Sequence, residues 1–241
     1  MRKPIRPLFN RRPHRLAAAL LLVLLPAIFA ADKPGNIPAG EALARLRAGN
    51  QDFVKGRRKP VNYAAERAAL VKGQRPYAIL LACSDSRVPP ELVFDESLGR
   101  LFIIRVAGNV TDSVALGSIE YAVDHFGVKL LVVLGHASCG AVKATFNGDK
   151  EQHHVGTIAR KIQPAVDRAK VAQREHHLDD ETAIRLAIEE NVRDQIKSVR
   201  SESEFLRGRI DKQLLTVEGA VYQLKSGKVE WLTAGAAATA K

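Results

Sequence analysis

Residues 79–91 read ILLACSDSRVPPE. An apolar run, Ile79 to Ala82, ends in a thiol, a carboxylate and a guanidinium two residues apart: Cys83, Asp85 and Arg87. Apolar runs that are short, nearly continuous and rich in branched aliphatics read as strands of a parallel sheet covered on both faces. The run 77–83 is followed by three more: 101–106 LFIIRV, 129–134 KLLVVL and 213–222 QLLTVEGAVY. Between them lie helical patterns at 112–126, 139–147, 155–175 and 180–206. The last carries Ile184, Ala187, Ile188, Val192, Ile196 and Val199 as one stripe. A helix over 39–55, interrupted at Gly49-Asn50, and a short one over 63–72 precede the first strand. A final run, 228–233 KVEWLT, follows the turn KSGK and is expected as an antiparallel edge strand. Strands alternating with helices predict an α/β fold: a mainly parallel central sheet flanked by helices, with one antiparallel edge strand.

A chain of 241 residues is long enough for one domain with a substantial core. The formal charge of +11 suggests nucleic acid until its distribution is seen. Residues 1–30 hold six basic residues and no acid, which leaves 31 basic against 26 acidic residues interspersed over the rest. With 5% aromatics there is no basic-aromatic platform, so nucleic acid is excluded as a partner class. The basic stretch MRKPIRPLFNRRPHR, the apolar run LAAALLLVLLPAIFA and the small residues Ala30 and Ala31 predict an export signal and a periplasmic destination. That run is shorter than the ~20 residues of a membrane span and contains Pro26, so membrane contact is expected only if the segment stays uncleaved as an anchor. Arg11-Arg12 leaves both the Sec and the twin-arginine routes open. The expected organisation is a signal over 1–30, a linker over 31–38, a single domain over 39–233 and a flexible tail over 234–241.

In open parallel sheets, ligands gather beyond the carboxyl ends of the strands. One strand ends in Cys83, and another ends in GHASCG, which sets His136 and Cys139 just past its carboxyl end. If those strands are neighbours, two thiolates and one imidazole meet at one edge, a mixed soft and borderline donor set suited to Zn²⁺. Three protein ligands leave a fourth tetrahedral position, which catalysis needs and a closed structural site does not. Two other readings stand beside this one. Two cysteines in an exported chain invite a disulfide. A Cys83–His136 pair could act as nucleophile and base, with Cys139 left idle.

If residues 83–87 continue extended, positions 83, 85 and 87 share one side, because the strand period is two. Asp85 then borders whatever Cys83 binds, and Arg87 borders Asp85. Two thiolates cancel the charge of a dication, so such a centre needs a nearby acceptor to orient a water proton. Asp85 suits that role, and a bidentate Arg87 would hold its carboxylate ionised and aimed away from the metal. Taken alone, the pair reads as an ordinary ion pair in a turn.

CSDSRVPPE, with HASCG placing the second cysteine 56 residues after the first, resembles the β-class carbonic anhydrases. The likeness runs from about Gln74 to Ala144 and is weaker over 39–73 and 180–233. It implies that Cys83, His136 and Cys139 bind zinc, with Asp85 and Arg87 as a dyad beside the zinc-bound water. The implied reaction is reversible hydration of CO₂ to bicarbonate and a proton by zinc-bound hydroxide. Gln74, nine residues before Cys83, falls where the family has a substrate-binding glutamine. Phe102 and Tyr121 match positions lining the family's cleft, and Gly140 follows the second cysteine as it does there. The resemblance also implies a homodimer or dimer of dimers with sites at its interfaces, which frees Gln74 or Tyr121 to serve the partner subunit. Leu80 replaces the tryptophan of members with an inhibitory bicarbonate pocket, as in the subset without that regulation. RVAGN at 105–109 replaces the commoner RNVAN. Related hydrolases of COS or CS₂ share these motifs, and a non-catalytic zinc module would use the same ligands.

Overall fold

The computed structural model describes residues 37–58, 60–149 and 153–232. The expected signal over 1–30 and tail over 234–241 lie outside the described residues. Strands β1 (Ala78–Ala82) and β3 (Leu130–His136) are buried at every position, which is why their sequences show no alternation. They pair in parallel, Ala82 opposite Leu134. Strand β2 (Leu101–Arg105) pairs with the other side of β1 and is only partly buried, so it forms an edge. Strand β4 (Thr216–Tyr222) runs parallel to β3, and β5 (Val229–Trp231) closes the sheet antiparallel to β4. The order β2-β1-β3-β4-β5 is the predicted mainly parallel sheet with its antiparallel edge. The chain moves from β1 to one side and returns to the other, so β1 and β3 flank the topological switch point.

Alternation along the strands sends side chains into two cores. Ile79, Leu81, Cys83, Leu131 and Val133 face one core. Helices α4 (Ser113–Phe126), α5 (Gly140–Asn147), α6 (Val155–His176), α7 (Asp180–Glu202) and α8 (Glu204–Asp211) cover it. Ala78, Leu80, Ala82, Leu130, Val132 and Leu134 face the other core, with α1 (Ala39–Val54) and α3 (Pro90–Val93) against them. Helix α2 (Tyr63–Ala69) buries none of its residues. Among the described residues no helix is long and apolar enough to cross a membrane.

Two expectations fail for local reasons. The pattern over 180–206 predicts one helix, but the backbone turns extended at Ser203 (φ −124°, ψ 113°). The Ser203 hydroxyl then accepts from the Leu206 N–H and starts α8 as its cap. Helix α1 runs through Gly49-Asn50 without interruption. A Cβ at Gly49 would lie 1.8 Å from the Phe94 carbonyl oxygen, so that glycine marks a close approach to the end of α3. Asn50 is buried, donating to the Val93 and Gly227 carbonyls and accepting from the Val229 N–H.

Candidate metal centre

Cys83 is the first residue past β1, and His136 is the last residue of β3. Because Ala82 pairs with Leu134, the two chain segments emerge side by side at the switch point. Cys139 follows three residues later as the residue preceding α5, after Ser138 has turned the chain in a left-handed conformation (φ 56°). The two sulfurs and a ring nitrogen of His136 all lie within 4.8 Å of one another, and all three residues are buried. Both thiols are free and their sulfurs stand 4.0 Å apart, about twice the ~2 Å of a disulfide, so that alternative falls. Cys139 shares the cluster, which removes the ground for pairing Cys83 with His136 alone.

His136 is fully buried, and its Nδ1 lies 2.9 Å from the Ala137 carbonyl. A carbonyl only accepts, so Nδ1 carries the proton and Nε2 keeps a lone pair. That buried Nε2 has no hydrogen-bond partner, although leaving such an atom unpaired costs about 1–3 kcal/mol. An orphaned imidazole lone pair beside two thiols is the donor set that zinc prefers, and the residues present fit it. The hydrogen bond with Cys139 lowers the pKa of Cys83, while that bond and burial raise the pKa of Cys139. The pair therefore gives up one proton readily and holds the second until a cation balances it.

The expected extension over 83–87 does not occur. The Val88 N–H donates to the Asp85 carbonyl at 3.0 Å, closing a turn straight after the strand. The turn itself joins the charged pair by folding position 87 back. The Arg87 backbone N–H and Nε both donate to Asp85 Oδ1 at 2.9 Å, and Nη2 donates to Oδ2 at 2.7 Å. Those bonds hold the Asp85 carboxyl well below the usual carboxylate range, against an opposing desolvation effect. Asp85 Oδ2 lies 3.8 Å from His136 Nε2, at the border of the cluster. Arg105, at the end of β2, donates to the carbonyls of Cys83 (3.1 Å) and Asp85 (2.6 Å), fixing the backbone that carries both.

The carbonic anhydrase family model matches residues 78–229, the span from β1 into β5. The chain is 37% identical over 188 residues to carbonic anhydrase 2 of Mycobacterium tuberculosis, covering 76% of this chain and 87% of that protein. It is 36% identical over 202 residues to the carbonic anhydrase of Mycolicibacterium smegmatis, covering 82% and 94%. Its structure is similar to the β-carbonic anhydrase CafA of Aspergillus fumigatus, with TM-score 0.65, 25% identity and coverage of 81% and 91%. The Coccomyxa β-carbonic anhydrase, solved with acetazolamide, gives TM-score 0.63 and 26% identity, covering 82% and 87%. This chain belongs to the β-class carbonic anhydrases.

Of the other residues that the β-class carbonic anhydrase pattern singles out, Gln74, Phe102 and Tyr121 are not brought to the Cys83 cluster within one chain. Gln74 lies in an exposed loop before β1, at the amino end of the strand whose carboxyl end leads to Cys83. Five strand residues separate the two ends by roughly 16 Å. Phe102 pairs with Ile79 near the start of β2. Tyr121, 47% exposed on the returning α4, has its ring 6.2 Å from that of Phe102 and stacked at 4.1 Å on His125. Gly140 opens α5 directly after Cys139, and a Cβ there would meet nothing within 4 Å. Sequence reasoning missed Gly108, whose backbone N–H donates to Cys83 Sγ at 3.3 Å. The only signal in the sequence was a glycine just past a strand that neighbours β1.

Proposed function

We propose that this chain catalyses the reversible hydration of CO₂ to bicarbonate and a proton. The observation that carries this reading is the buried convergence of Cys83, His136 and Cys139, bordered by a carboxylate that Arg87 holds in place. Zinc held by Cys83 Sγ, His136 Nε2 and Cys139 Sγ would supply the Lewis acidity that makes water a nucleophile near neutral pH. Asp85 Oδ1 accepts two Arg87 N–H groups and Oδ2 accepts one, so Oδ2 retains acceptor capacity on the side of His136. From there Oδ2 takes the hydrogen bond of the attacking water and turns its lone pair toward the substrate carbon. Arg87 keeps that carboxylate ionised and stops it from swinging onto the thiolates' cation.

The apolar wall and the substrate-binding amide come, in this proposal, from a second copy of the chain. Gln74, Phe102 and Tyr121 lie toward the amino ends of β1 and β2, on the side of the exposed edge strand, remote from their own cluster. A homodimer, or a dimer of dimers, would bring that edge to the neighbouring site, where Gln74 can donate to an oxygen of bicarbonate. The basic and apolar composition of residues 1–30 supports export to the periplasm. Metal analysis combined with stopped-flow CO₂ hydration tests the enzymatic reading. One zinc per chain is expected, with hydration abolished by chelation and restored by zinc. Stoichiometric zinc with no hydration between pH 7 and 9 overturns it, and turnover of COS or CS₂ in its place would assign the site to those substrates.

A further inference from the structure

Beneath the metal-ligand cluster, α7 sends two polar side chains into a mostly apolar core. The N–H and hydroxyl of Thr111 both donate to Gln195 Oε1, at 2.8 and 3.0 Å. Gln195 Nε2 donates to Asn191 Oδ1 at 3.1 Å, and Asn191 Nδ2 donates to the Gly108 carbonyl at 2.8 Å. Thr111 is fully buried, and Asn191 and Gln195 are 1% exposed. The direction of the chain is set at both ends, because a backbone N–H only donates and a carbonyl only accepts. Its last member, Gly108, donates its own N–H to Cys83 Sγ.

Gly108 has little freedom in this position. Its backbone is left-handed (φ 69°, ψ 14°), and a Cβ there would lie 2.7 Å from Ile162 Cδ1. The conformation calls for glycine, and a Cβ would also have to displace the tip of Ile162. A glycine also has the most freedom to turn away, so something must hold it. The Asn191 amide grips its carbonyl, and Gln195 ties the following strand of chain at Thr111.

We propose that Asn191 and Gln195 are positioning residues for the metal centre: they lock the 107–111 turn so that the Gly108 N–H stays aimed at the Cys83 sulfur. The inference rests on Cys83 being a ligand of a divalent cation, as in the function proposed above. An N–H bond to a thiolate draws electron density from the sulfur, so the sulfur donates less to the cation and the cation stays more acidic. It also fixes the sulfur's direction. Two thiolates already neutralise a dication, so tempering one of them returns part of the cation's acidity.

Asn191→Ala and Gln195→Met in the full chain test this, with zinc affinity read by chelator competition and the thiolate-to-metal charge-transfer band read in the Co²⁺-substituted protein. Zinc affinity should weaken about 10–100-fold because the sulfur loses its fixed direction, and the band should move to lower energy as the sulfur becomes more electron-rich. Gln195→Glu offers the same acceptor, and the same donor when protonated, and should return the band toward its native position as pH falls. Variants that lose stability in urea but keep native zinc affinity and an unshifted band would overturn the proposal, leaving a purely structural network. If Asn191→Ala does not fold, Thr111→Val removes one of the two bonds to Gln195. It should give a smaller shift of the same sign, and no shift would again overturn the proposal. A native chain that binds neither Zn²⁺ nor Co²⁺ would sink the metal-site reading itself, an outcome distinct from the others.

Discussion

Three N–H groups of one arginine grip the carboxylate of Asp85, and that grip has a consequence for pH. Hydrogen bonding holds the folded-state acid below its unfolded value of about 3.9. The unfolded chain therefore binds this proton more tightly, and the stabilisation is complete above about pH 4 and drains as pH falls through the folded value. Urea titration of the metal-free protein and of Asp85→Asn should show a stability gap that is constant between pH 8 and 5 and narrows below about pH 4. A gap that changes between pH 8 and 6 would point to a different titrating group. Catalysis and stability separate at this residue. Asp85→Ala should keep its zinc and lose on the order of 10²- to 10⁴-fold in turnover, the range for a positioned acid–base group. Full activity in that variant would remove Asp85 from the mechanism.

At the scale of elements, the same glycine type serves unlike ends. Gly108 admits a backbone conformation, whereas Gly49 admits a neighbour, since α1 lies directly on the Phe94 carbonyl. A methyl there must push the helix off backbone rather than off a side chain. Gly49→Ala should therefore destabilise by about 1–3 kcal/mol in urea unfolding despite the better helix propensity of alanine, with zinc content unchanged. A stabilised variant would mean that α1 is not seated as described. The strands were legible in the sequence because burial on both faces leaves a continuous apolar run, as in LLVVL at 130–134. The candidate ligands were legible because few side chains offer a thiolate or an imidazole. The break at Ser203 was not, because SESEFL reads equally well as a helix's polar face, and the hydroxyl's cap forms only once the backbone has turned. The turn at 85–88 was hidden for the same reason, and it joins the charged pair that an extended strand had been expected to align. Asn191 and Gln195 sit on the buried stripe of α7, but their partners are 83 and 84 residues away, at Gly108 and Thr111. A backbone N–H facing a sulfur leaves no mark on composition or periodicity.

At the scale of the whole molecule, the sheet divides the residues proposed for function between opposite ends of β1. The carboxyl end carries Cys83 and the turn with Asp85, while the amino end is flanked by Gln74, Phe102 and Tyr121. If both groups serve one reaction, as proposed, a single chain holds two half-sites at opposite ends of β1, and a symmetric pair of chains can hold two whole ones. This arrangement makes a prediction that no residue or element makes alone. Gln74→Ala and Asp85→Ala chains, each strongly impaired, should regain activity when mixed and allowed to exchange subunits. A mixed dimer combines the intact Asp85 of one chain with the intact Gln74 of the other at one site, and concentrates both lesions at the second. With equal amounts and random exchange, half of the dimers are mixed and one site in each is whole, so recovery should approach about a quarter of native activity. If Gln74 acted on its own chain's cluster, both sites of every mixed dimer would carry a lesion, and mixing would yield only the average of the two variants. Activity measured before and after exchange, with the native protein taken through the same treatment, separates these outcomes.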